Sequence, residues 1–239
     1  MLKKIKKIIR LLVPEKLYTK LYLYRRKKYF GQRFIDFDLR KHLNFKNGFY
    51  IEMGAMDGVT YSNTLHLEKY KNWTGLLIEP SISEYELCVK NRPSSKVFNF
   101  LCSSYENEGK NYLFYDMGAM SYSKFVNSDN NYEKHHKNAK IILEKFSKNE
   151  KSYNVKTVSI SSLLDSTNSP KLINFFSLDV EGAEIEVLSG FNFDRYKIQY
   201  LLIESRNFTK TKNFLTQYDY VLKSHIDKSN LLFCHKSFI

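Results

Sequence analysis

Cysteine, proline and glycine are all scarce in this chain: 239 residues hold three, four and nine of them. Cys88, Cys102 and Cys234 are odd in number and far apart, with neither Cys-x-x-Cys nor zinc-ligand spacing. That excludes a disulfide scaffold and a zinc site, and it fits reduced thiols in a cytosol-like compartment. There is no internal repeat and no low-complexity linker. No uncharged run approaches the ~20 residues a membrane span needs. A secretory signal needs a longer apolar centre and a small-residue cleavage site, and neither is found. Acids are nearly missing from the opening: Glu15 is the only one in the first thirty residues.

Those thirty residues carry eleven lysines and arginines, and so hold ten of the thirteen excess positive charges. Leu2, Ile5, Ile8, Ile9, Leu12 and Val13 recur at helical spacing among the lysines until Pro14 interrupts them. Leu17, Leu21 and Tyr24 continue a second stripe. Residues 1–30 therefore read as a basic amphipathic helical extension, suited to an anionic membrane surface or a partner protein. Because the charge is concentrated there, it argues against a nucleic-acid partner for the body. Residues 31–239 are enough for one domain with one sizeable core.

That body is organised around Gly48–Thr64. Phe49, Tyr50 and Ile51 have strand character, Gly54, Ala55, Asp57 and Gly58 make a turn, and Ser62, Asn63 or Thr64 caps the helical stretch from Leu65. Strand, glycine turn and helix open a crevice at the carboxyl edge of an α/β sheet. The turn is neither Gly-x-Gly-x-x-Gly nor a P-loop. Its acids, Glu52 and Asp57, disfavour phosphate and favour a cationic or hydroxyl-rich ligand. S-adenosylmethionine, with an ammonium, a sulfonium and a ribose diol, has that chemistry.

Further strands end in acids. Leu76–Ile78 leads to Glu79 and Pro80, and a carboxylate there offers two acceptor oxygens to two ribose hydroxyls. Lys96–Leu101 reads as a third strand ending near Ser103, beside the adenine, and Tyr112–Tyr115 as another. From 116 to 154 the pattern breaks into an irregular insertion, in which His135 and His136 read as surface residues. Ile173–Asp179 is an apolar strand, Glu181-Gly182 a turn and Ala183–Leu188 a helix. Tyr200–Glu204 is a buried strand, and Val221–His225 with Leu231–Cys234 a closing hairpin. Glu52, Glu79, Asp179 and Glu204 thus cap four strands, and such a ring repels itself unless a cation or hydroxyl donors lie inside it.

The segments Ile51–Gly58, Tyr61–Thr64, Leu77–Pro80 and Leu178–Glu184, with Val187-Leu188-Ser189-Gly190 downstream, resemble the FkbM-type methyltransferases. The resemblance runs from about Gly48 to the C-terminus, with Glu52 where many relatives have Asp. It implies a class I, Rossmann-like α/β fold: a mostly parallel seven-stranded sheet flanked by helices. It also implies S-adenosylmethionine as donor and a sugar hydroxyl of a surface glycan or glycosylated metabolite as acceptor. The cofactor set is then Glu52, Gly54, Ala55, Asp57, Gly58, Tyr61, Ser62, Asn63, Thr64, Glu79, Pro80, Ser103 and Asp179. Asp179 is the candidate base, with Glu181 and Glu204 completing an acidic catalytic pocket. Asp179 and Glu204 would be the ligands of any metal, which oxygen donors make Mg²⁺. The competing readings are an RNA methyltransferase, motivated by charge, and a catalytically inactive membrane-associated scaffold, opposed by the intact acids.

Overall fold

The computed structural model describes residues 27–125, 128–145 and 149–239. Most of the expected N-terminal extension, residues 1–26, lies outside the described residues. In chain order the elements begin with α1 (Ile35–Leu39), β1 (Phe49–Met53), α2 (Leu65–Lys71), β2 (Thr74–Ile78), α3 (Ile82–Asn91) and β3 (Lys96–Phe98). Next come β4 (Leu101–Cys102), β5 (Asn111–Asp116), β6 (Tyr122–Ser123), α4 (Tyr132–Lys145) and β7 (Lys151–Val158). The chain closes with α5 (Ile160–Ser166), β8 (Leu172–Leu178), α6 (Glu184–Leu188), β9 (Lys197–Glu204), α7 (Phe208–Thr216), β10 (Tyr220–His225) and β11 (Asn230–His235).

Seven strands form the main sheet in the order β3-β2-β1-β8-β9-β11-β10. Only β11 is antiparallel to its neighbours, β9 and β10. This is the α/β architecture expected of a class I methyltransferase. Its strands are apolar on both faces because helices cover both. Ile51, Ile78, Phe176 and Ile203 pack with Leu163 of α5, Leu188 of α6 and Leu215 of α7. Their neighbours Tyr50, Leu77, Phe175 and Leu202 pack the other way, against Leu39, Leu67 and Cys88. The chain winds outward from β1 to β3, then restarts at β8 on the other side of β1. Strand order reverses between β1 and β8, and a crevice opens at such a point beyond the carboxyl ends of the strands.

Two expectations are corrected. The strand expected over 96–101 is divided: β3 ends at Phe98 in the main sheet, and β4 starts at Leu101 in a second sheet of order β4-β7-β5-β6. The stretch 116–154, expected to be irregular, contains a 3₁₀ turn (Gly118–Met120), β6, α4 and the start of β7. Its periodicity is hard to read because β5 and β7 are half-exposed strands rich in polar residues. Met117, Tyr122, Ala139 and Leu143 give this layer a small core of its own, which caps the crevice.

Candidate active site

The crevice holds a cavity of about 430 Å³, within the roughly 300–1,000 Å³ of small-ligand sites. Its floor is made by strand ends. Gly54, at φ 77°, donates its N–H to the Ile78 carbonyl (3.1 Å), and a Cβ there would strike the Asp179 carbonyl oxygen. Only glycine lets the β1 loop pass so close over β8.

Glu52 and Glu79 are buried at the ends of β1 and β2, and both line the cavity. Glu52 accepts from Ser62 Oγ (2.7 Å), Asn63 N–H (2.6 Å) and Thr64 Oγ1 (2.6 Å), so it ties the loop to the start of α2. Glu79 accepts from the N–H groups of Met56 (2.7 Å) and Ser81 (2.8 Å), one on each oxygen. Burial pushes its carboxyl up to about 7, and these two N–H groups only partly offset it. Each oxygen keeps a lone pair.

The third acidic group is the tightest. One carboxylate oxygen from each of Asp179, Glu181 and Glu204 lies within 4.8 Å of the others. Asp179 lines the cavity and is exposed to it. Desolvation by the cavity walls, and then the Glu204 charge, hold its carboxyl above the ordinary value. Burial and Glu204 likewise push Glu181 up to about 8, against the pull of Arg206, with which it forms an ion pair. Glu184, the last acid of this turn, accepts from the N–H groups of Val180 and Gly182 (3.1 Å each).

The sequence profile of the methyltransferase FkbM domain matches residues 52–226. The chain belongs to the FkbM methyltransferase family. That family is one of methyltransferases. No curated protein sequence matches the chain. Among solved structures it is similar to M. capricolum TrmK in complex with S-adenosyl-homocysteine: 8% identity, TM-score 0.41, covering 83% of this chain and 66% of that one. The chain thus spans just under two thirds of that protein. It is also similar to precorrin-6y C5,15-methyltransferase from Geobacter metallireducens GS-15, at 9% identity and TM-score 0.42, covering 86% and 88%.

Of the site expected for an FkbM-family chain, Glu52, Gly54, Tyr61, Asn63, Glu79 and Pro80 line the cavity with Asp179, Glu181 and Glu204. Six of the expected residues do not line it. Asp57 turns its carboxylate onto its own loop, accepting from the N–H groups of Val59 (2.9 Å) and Thr60 (2.6 Å). Gly58 backs onto Arg92 and Cys88. Ser62 and Thr64 are spent on Glu52, and Ala55 is buried in the core beneath the loop. Ser103 is buried at the seam of the second sheet, its N–H on the Val158 carbonyl (3.1 Å).

Other residues were not foreseen. Met120, Tyr122, Phe125 and Ile142 line the cavity from the capping layer, and Gln32 and Asn230 from its other side. The only trace in the sequence is the turn-like Gly118–Ser123 run. His135, expected at the surface, is buried. Its Nε2 is 2.9 Å from the Met120 carbonyl, and its Nδ1 is 3.8 Å from Glu181 Oε2. Burial holds its pKa below the ordinary value.

Arg92 is the other omission. It is fully buried and donates to Glu68 (2.8 Å), the Gly58 carbonyl (2.9 Å), Ser62 Oγ (3.2 Å), Tyr50 OH (2.8 Å) and Thr64 Oγ1 (3.1 Å). It also lies 3.6 Å from Glu52. One guanidinium therefore fixes both ends of the loop that carries Tyr61 and Asn63.

Proposed function

We propose that the chain transfers a methyl group from S-adenosylmethionine to a sugar hydroxyl of a surface glycan or glycosylated metabolite. The observation that carries this reading is the convergence of Asp179, Glu181 and Glu204 in one cavity that Glu79, at the end of β2, also lines. S-adenosylmethionine, when bound, supplies the electrophilic methyl group. Glu79 is suited to the ribose diol, since each of its oxygens has a lone pair left. The acids around it suit the positive charge of the donor.

Asp179 is assigned the proton of the acceptor hydroxyl, which is a weak nucleophile until that proton is removed. Desolvation, and then the charges of Glu204 and Glu181, raise its affinity for a proton, as a base working near neutral pH requires. Alignment of oxygen, methyl carbon and sulfur supplies the rest, because fixed geometry replaces a bimolecular encounter. Three carboxylate oxygens so close also suit a hard divalent cation. Glu181 is already paired with Arg206, so Asp179 and Glu204 are the residues that would hold Mg²⁺. The ion would acidify the hydroxyl bound beside it.

S-adenosylhomocysteine release, screened against sugar nucleotides and glycan intermediates with and without Mg²⁺, tests this reading. Turnover on a sugar acceptor is expected. Turnover on RNA alone would replace the reading, and no thermal shift with S-adenosylhomocysteine would end it. Among the described residues no helix is long and apolar enough to cross a membrane. We assign the basic stretch 1–30 to an anionic membrane surface or a partner protein. Deleting the residues before Phe30 should then abolish vesicle or partner binding and spare cofactor binding.

A further inference from the structure

A second cavity of about 490 Å³ lies behind the first, and Asn63 lines both. Its wall carries Lys28, Arg40, Lys41 and Lys71 against one carboxylate, Asp36. Cations crowded round a hollow are normally neutralised by nearby acids. Among the described residues, Lys28, Lys41 and Lys71 have no carboxylate within ion-pair distance. Arg40 reaches only the exposed Asp38, at 4.0 Å.

Neutral groups hold three of these cations instead. The Lys28 ammonium lies over the Tyr70 ring, 5.1 Å from its centre. Lys71 Nζ donates to Asn44 Oδ1 (2.7 Å). The Arg40 guanidinium stacks on Phe37 at 3.5 Å. His66 Nδ1 is 2.8 Å from the Lys28 carbonyl and its ring stacks on Tyr29 at 4.2 Å, which anchors the backbone at the rim. Asp36, whose oxygens accept from the N–H groups of Phe30 (2.7 Å) and Phe37 (3.0 Å), offsets at most one of these four charges. Lys28, Arg40 and Lys71 are positioned without being neutralised, Lys41 adds an exposed ammonium to the same wall, and a concave wall concentrates their field.

We propose that this second cavity is a binding site for a phosphate-bearing ligand, with Lys28, Lys41 and Lys71 as its ammonium donors. Lysines are adequate receptors for phosphate oxygens as point charges, and such charge-assisted hydrogen bonds are about twice as strong as neutral ones. The proposal is independent of the methyl-transfer reading, since it involves none of the acids in the first cavity.

Titration calorimetry of the full chain with inorganic pyrophosphate tests it. Dihexanoyl phosphatidylglycerol below its micelle concentration serves as a soluble headgroup probe. Pyrophosphate should bind, more weakly as salt rises. The Lys41→Ala/Lys71→Ala variant should bind it at least about ten-fold more weakly, through loss of two charged donors. The Lys41→Arg/Lys71→Arg variant should retain binding. Both variants alter surface side chains, and an unchanged thermal shift with S-adenosylhomocysteine verifies their fold. Displacement of pyrophosphate by the soluble lipid assigns the site to a headgroup; no displacement assigns it to a free phosphate ester. Absence of pyrophosphate binding, or equal affinity in the Ala variant, overturns the proposal.

Discussion

Asp57 and Glu79 both sit beside a glycine turn, yet only Glu79 faces the cavity. The difference is where the nearest N–H donors lie. Asp57 has two within three residues along its own chain and folds back on them, as short acids do. Glu79 takes one from Ser81 in the turn that follows it and one from Met56 in the neighbouring β1 loop, which holds its carboxylate at the cavity wall. Glu79→Ala should accordingly weaken S-adenosylhomocysteine binding by about ten-fold or more, read by calorimetry, because at least one charged hydrogen bond to the ligand is lost. Asp179→Asn keeps the shape and removes the base. Turnover should fall by about 10²–10⁴-fold, the usual contribution of a positioned acid or base, while the affinity for S-adenosylhomocysteine stays close to that of the parent protein. Full activity in that variant would remove Asp179 from its assigned role.

Among the elements, β1, α2 and α3 meet at Arg92, and that junction determines how firmly the cofactor loop is held. Arg92→Ala leaves Glu52 and Glu68 without their cation in a buried place. Breaking a buried pair in this way typically costs about 3–5 kcal/mol, so urea unfolding should show a loss of that order. Little of this junction was legible in the sequence, because the partners of Arg92 come from residues 24 to 42 positions away. A lone arginine before a proline looks like any helix end. The main sheet was legible for the opposite reason: its strands are short apolar runs, each closed by an acid or a turn. The second sheet was legible only in part: Tyr112–Tyr115 reads as a strand and forms most of β5, whereas Lys151–Val158 is exposed or half-buried at most positions and contains polar residues throughout, so its start was hidden. The acids of the site could be read from their places at strand ends, whereas the apolar roof from Met120 to Ile142 is defined only by packing.

Over the whole molecule, the buried acids make stability depend on pH. The carboxyl groups of Glu79 and Glu184 are raised to about 7 and that of Glu181 to about 8, from an ordinary value of 4.5. The folded chain therefore holds protons that the unfolded chain has already released, and stability falls as pH rises through those values. The buried histidines His66 and His135 act in the other direction, but below about their ordinary 6.5. Between roughly pH 7 and 8.5 the acids dominate, joined at the upper end by the thiols of Cys88 and Cys102, which burial also pushes up and which act in the same direction. The melting temperature without ligand should drop across that window, and S-adenosylhomocysteine should reduce the drop. A melting temperature that rises across it would mean these carboxyls are already ionised in the folded chain.

The division of residues 96–102 between two sheets has a further consequence. Phe98 belongs to one sheet and Leu101 to the other, with two residues between them. Along that seam the roof is stitched to the floor by a span too short to stretch. Across the cavity, Asp129 donates its N–H to the Gly182 carbonyl (2.8 Å) and Asn130 its side chain to the Glu181 carbonyl (2.8 Å). The far edge is fastened to the very turn that carries Glu181, and the Lys210–Asp129 ion pair holds it as well. A roof lifted at that edge would pull on the turn beneath it, so the proposed entry of an acceptor and the proposed proton transfer would be linked through the same few contacts.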